Sequence, residues 1–169
     1  MTPRGLGRHV IAWVVAGGAG SIMFWLFQVL TGGATITAFM GDQIVSAGGY
    51  PTPMAVPLGW AVHLGVSLSY ALLFAVVAAA AERASPAVAA SVTLLAALVL
   101  GWITAVIAPP AISVTIGILS GHGWPSEMLP LNFELGSPLW NHLIFFLLNW
   151  IIQVLGPRVF SQPAAARQP

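Results

Sequence analysis

The chain contains no cysteine. That excludes disulfides, thiolate metal sites, Cys-ligated iron–sulfur clusters, c-type haem attachment and thiol catalysis. Lysine is missing too. The five basic residues are all arginine, set against four acidic ones, for a formal net charge of +1. This leaves no electrostatic footprint for nucleic acid, and no such partner is expected. Charge of either sign is scarce, at 5% of residues, where soluble domains carry roughly 25%. No catalytic motif stands out.

Apolar residues fill the space that charge vacates. They make up 58% of the 169 residues, and mean hydropathy is +0.92. A chain of this length forms one compact unit and cannot hide so much apolar surface in a water-soluble core. Lipid must cover it. The expected fold is all-α: a four-helix membrane bundle, residues 1–160, followed by an Ala-, Pro- and Gln-rich tail, 161–169, expected to be disordered.

Four spans are legible. The first is Val10–Leu30, ended by Thr31-Gly32-Gly33. Arg4 and Arg8 precede it as in a signal peptide, but its 21 residues exceed the roughly 7–15 of a signal core, and no small-x-small cleavage site follows. It reads as an uncleaved span. The second is Leu58–Ala81, opened by Pro57 and stopped by Glu82-Arg83. The third is Ala87–Ala108, with Ser85 as N-cap, Pro86 at the first helical position and Pro109-Pro110 as the stop. The fourth is Leu139–Leu155, between Ser137-Pro138 and Gly156-Pro157. Its 17 residues are at the short limit for a core of roughly 30 Å.

The arginines set an orientation. Arg4, Arg8, Arg83, Arg158 and Arg167 all fall on one side of this topology, and Asp42, Glu127 and Glu134 on the other. The positive-inside rule puts both termini in the cytoplasm and the long loops 31–57 and 109–138 outside. The lack of lysine and the high Ala, Val and Gly content fit a GC-rich bacterial source, hence a bacterial inner membrane.

The outer loops resemble each other. Ser46-Ala47-Gly48-Gly49-Tyr50-Pro51-Thr52-Pro53-Met54 and Ser120-Gly121-His122-Gly123-Trp124-Pro125-Ser126-Glu127-Met128 share Ser, Gly, an aromatic, Pro, a hydroxyl residue and Met at a constant offset of 74. Duplication of a helical hairpin leaves such a period behind. The apolar stretches Ile36–Val45 and Ala111–Leu119 are expected to lie as interfacial helices or to re-enter the membrane. Tyr50, Trp60, Trp124 and Trp140 suit an aromatic belt. Small residues spaced by four, Ala12/Ala16/Gly20 on span one and Ala97/Gly101/Ala105 on span three, predict close contact between those two spans or a dimer face. Span four, with Ile144 to Leu148, reads as more lipid-exposed on one side.

Polar side chains inside a membrane are functional candidates by default. His63 lies about 7.5 Å into span two and His142 roughly 4–5 Å into span four, by helical rise. Gln28 and Thr104 end the other two spans at similar depth. His63, Ser67 and Tyr70 share one face, as do His142, Asn149 and Gln153. Three readings compete. The polar groups bond across helices, and the protein is a non-enzymatic accessory or scaffolding subunit of a homo-oligomer or larger membrane complex. Alternatively, His63 and His142 bind haem b axially, or a transition metal with His122, Glu127 or Glu134 added. Or the polar faces line a path for a small solute or proton, in an oligomer.

The segment His63-Leu64-Gly65-Val66-Ser67-Leu68-Ser69-Tyr70-Ala71-Leu72-Leu73-Phe74 resembles a helix of small YagU-like bacterial inner-membrane proteins, where a His opens an apolar helix and an aromatic-small-leucine run follows. The resemblance covers one helix of four. It implies a polytopic inner-membrane protein and names no catalytic residue.

Overall fold

A computed structural model describes residues 3–156, and the side chains of 10–156. Arg158, Arg167 and the tail 161–169 lie outside the described residues. Five α-helices follow one another: α1 (Pro3–Leu30), α2 (Ile36–Gly48), α3 (Ala55–Ala81), α4 (Pro86–Leu119) and α5 (Ser137–Trp150). A 3-10 turn, Thr52–Met54, leads into α3, and a π-helical turn, Ile151–Leu155, extends α5. No strand occurs among the described residues. Four stretches are long and apolar enough to cross a membrane: Val10–Leu30, Thr52–Ala81, Pro86–Leu119 and Ser137–Leu155. The protein is a four-helix integral membrane bundle.

The long helices stand in a ring in the order α1, α3, α4, α5, with α1 diagonal to α4. The α3–α4 seam is the loosest of the four neighbour contacts. The expected close contact between spans one and three is therefore not one of the main seams of the bundle, although their small residues do admit close neighbours. A methyl group on Gly17 would meet Leu68 of α3 at 2.9 Å, and one on Gly20 would meet the Phe145 ring of α5 at 2.6 Å. Gly101 of α4 is equally tight against Leu143 of α5, at 3.0 Å. Spacing by four announces a close approach without naming the partner.

α5 also departs from expectation. From Asn141 to Trp150 none of its residues is exposed, and Phe145 and Phe146 sit in the core with Phe74 and Ala97. Bulky residues fill the junction of α1, α3 and α4 because small residues on those helices make room.

The Pro109-Pro110 pair does not stop α4, which runs on to Leu119. Proline at 110 withholds the N–H that would bond the Val106 carbonyl. Here the Asn132 N–H supplies that bond instead, at 3.0 Å, from the segment that follows α4. The same segment is pinned by Leu129 N–H to Ser113 Oγ at 3.1 Å. Loop 109–138 is thus helical for its first third and folded back along that helix for part of the rest. Ser85 stands at the α4 N-cap, but its side chain makes no cap bond.

Ile36–Val45 is helical as expected. Thr35 caps α2, accepting Ala38 N–H at 3.3 Å, and Gly49 ends it with φ +65°. α2 crosses α3 at two glycines with no room to spare. A methyl on Gly41 would collide with the Ala55 carbonyl, and one on Gly59 with the Thr37 carbonyl. α2 thereby closes the end of the bundle away from the termini, the distal end.

Candidate functional site

A cavity of about 290 Å³ opens inside the distal half of the bundle, walled by all five helices and by Asn132. Its walls are mostly apolar, and no charged side chain lines it among the described residues. Gln28, His63, Ser67, Tyr70, Asn141 and His142 bring polar groups, as do Thr115, Asn132 and Ser137.

The histidines reach it from diagonal helices. His63 is 7% exposed, and its Nε2–H donates to the Ser21 carbonyl of α1 at 3.0 Å. His142 is 8% exposed, and its Nδ1–H donates to the Pro138 carbonyl one turn back, at 2.7 Å. A carbonyl oxygen only accepts, so these nitrogens carry the hydrogens. In the neutral rings Nδ1 of His63 and Nε2 of His142 are left as acceptors. Phe24 of α1 packs edge-on against both imidazoles, with centroids 5.4 Å from His63 and 5.2 Å from His142. Trp60 packs on the far side of His63 at 5.9 Å.

Gln28 turns its Oε1 to the Ile36 N–H at 2.9 Å, tying α1 to the start of α2. Asn141 is 2% exposed, and its Oδ1 has no hydrogen-bond partner. Burying an amide oxygen unpaired costs roughly 1–3 kcal/mol. Ser21 Oγ is likewise buried and unpartnered.

Five of the residues singled out from sequence therefore meet in one space: Gln28, His63, Ser67, Tyr70 and His142. Thr104 does not join them. Its hydroxyl donates back to the Leu100 carbonyl at 2.7 Å within its own helix. Asn149 and Gln153 form a separate network nearer the termini. Gln153 Nε2 donates to Asn149 Oδ1 at 2.9 Å and to the Ala71 carbonyl at 3.1 Å, and Asn149 Nδ2 donates to the Phe145 carbonyl at 2.9 Å. Rings fill the space between network and cavity: Tyr70, Phe145 and Phe146 pack with centroids 5.2 to 6.4 Å apart.

His122, Glu127 and Glu134 lie outside the cavity lining. His122 Nδ1 pairs with Ser120 Oγ at 3.0 Å. Among the described residues no three His, Asp or Glu side chains gather as a metal site. Haem ligated by both histidines fits the space poorly. About 150 Å³ suffices for one benzene ring, so about 290 Å³ is small for a tetrapyrrole.

Asn141 and Phe24 are the contributors that sequence reasoning passed over. Asn141 was open to the same test as its neighbour His142, a polar group within an apolar span. Phe24 carries no such signal, because one phenylalanine among many apolar residues says nothing of what it touches.

Comparison with known proteins found no family model, no curated relative and no solved structure that matches the chain.

Proposed function

We propose that this membrane protein binds a small ligand in the distal cavity, between His63 and His142. The convergence of polar groups from separate helices on one mostly apolar space carries the reading, as ligand sites combine apolar walls with few placed polar groups. The scaffolding role draws on small-residue faces, and of these Gly20 and Gly101 pack inside the chain. The path for a solute draws also on Asn149 and Gln153, which lie outside the cavity lining.

The proposal extends to setting. The protein sits in a bacterial inner membrane with its termini in the cytoplasm and the cavity in the outer half, as the arginines argue. It descends from a duplicated hairpin. Gly49 and Gly123, 74 residues apart, both take left-handed backbone, with φ +65° and +77°, and α1 and α4 stand diagonally as a two-fold axis along the membrane normal requires. The YagU-like character of the His63 helix belongs to this proposal, as does assembly into a homo-oligomer or larger complex through its lipid-facing surface.

Native mass spectrometry of protein released gently from its own membranes tests the ligand. The expected result is an adduct near one per chain, lost when Ser67→Leu fills the cavity. A bare mass for the wild-type chain overturns the reading.

A further inference from the structure

We infer that the ligand is an uncharged ring bearing hydroxyl hydrogen-bond donors on an apolar tail, of the hydroquinone or phenol class, entering sideways from the bilayer between α3 and α4. This rests on the cavity being a ligand site.

Hydrogen bonding sets the polarity of the head. Each histidine has spent its ring N–H on a main-chain carbonyl, so each neutral ring offers the cavity a lone pair and no donor. Two ring nitrogens that only accept favour a ligand that donates, and the Ser67 and Tyr70 hydroxyls, which serve in either role, accommodate it. With no charged side chain in the lining among the described residues, an ionic head would enter without a counter-charge, at the high cost of burying an unpaired ion.

Size and walls set the shape. The space is about twice the roughly 150 Å³ that admits a benzene ring, enough for a six-membered ring with substituents. Phe24, Tyr70 and Phe145 wall it with aromatic rings, which pack edge-on or offset against another ring.

The rim sets the route. Val66 lines the cavity yet is 41% exposed, and it lies about 16 Å along α3 from the distal start of that helix by helical rise. Val62 on α3 and Ala108 and Ile112 on α4 also line the cavity, and the seam between these two helices is the loosest of the ring. An exposed valine midway along an apolar helix borders lipid. A head drawn in beside it leaves its tail in the hydrocarbon, with no need to cross water.

The test uses the full chain in phosphatidylcholine nanodiscs with ¹⁵N-labelled histidine, and three probes: decyl-hydroquinone, its dimethyl ether and decyl-benzoquinone. The hydroquinone is expected to shift the imidazole nitrogens of His63 and His142 and to bind at least about tenfold more tightly than the other two, which cannot donate. Val66→Trp is expected to slow its binding while the shifts at saturation persist. Equal binding of all three probes, or binding with unmoved histidine resonances, overturns the donor assignment and leaves the cavity reading standing. An unchanged association rate in Val66→Trp overturns the lateral route. If no probe binds while the native adduct is present, the ligand class is wrong; if the native chain is bare, the cavity reading falls with it.

Discussion

Single residues decide how near these helices come, and glycine gives the sharpest contrast. Gly41 and Gly59 hold α2 on α3 where a Cβ would strike a carbonyl oxygen, whereas a methyl group added at Gly18 or Gly65 would meet nothing within 4 Å. Gly59→Ala is therefore expected to lower stability by about 1–3 kcal/mol through overpacking. Gly65→Ala should raise it by roughly 0.5–1 kcal/mol, because mid-helix glycine costs that much relative to alanine. Thermal unfolding in detergent, read by helical circular dichroism, checks both signs; equal effects would mean that the α2–α3 crossing is not tight. Nothing in the sequence separates these glycines, since all sit in apolar runs. The histidines were legible for the opposite reason: a polar group in a membrane helix is rare enough to be noticed alone, whereas tightness is a property of two surfaces.

At the scale of the element, α4 shows where local reading stops. A proline pair ends most helices because of a lost donor and a crowded carbonyl. At Val106 the orphaned carbonyl finds Asn132 N–H, 26 positions later in the chain, and no local pattern announces such a partner. Membrane helices keep prolines on this condition, that the freed group is satisfied elsewhere. Asn132→Pro removes the donor and is expected to cost roughly 1–3 kcal/mol, as the largely buried carbonyl loses its partner. Asn132→Ala keeps the N–H and loses only the side-chain acceptor for Glu134 N–H. Hydrogen exchange should show faster exchange across 120–136 in the proline variant alone. Were the two variants alike, the Val106 bond would not be what anchors the segment. The anchoring bears on the site, because Asn132 is part of the cavity wall.

For the molecule as a whole, the number of spans and the all-α class follow from hydropathy, because lipid demands helices of known length whose backbone bonds are internal. The ring order does not follow, since it depends on which faces interlock. Sidedness is a third matter, resting on arginine placement, and it decides which compartment the cavity is near. The missing cysteine makes sidedness simple to measure, for a single introduced thiol is then the only one. Ser126, in the segment after α4, and Ser85, in the α3–α4 turn, are both exposed. Ser126→Cys is expected to react with a membrane-impermeant maleimide on intact cells, and Ser85→Cys only after the membrane is opened. The reverse pattern would place the termini outside and the cavity in the inner half of the bilayer. A head group held there would meet the cytoplasmic leaflet instead, with the same hydrogen bonds and the same seam, so chemistry and sidedness are independent questions that these two thiols and the three probes answer separately.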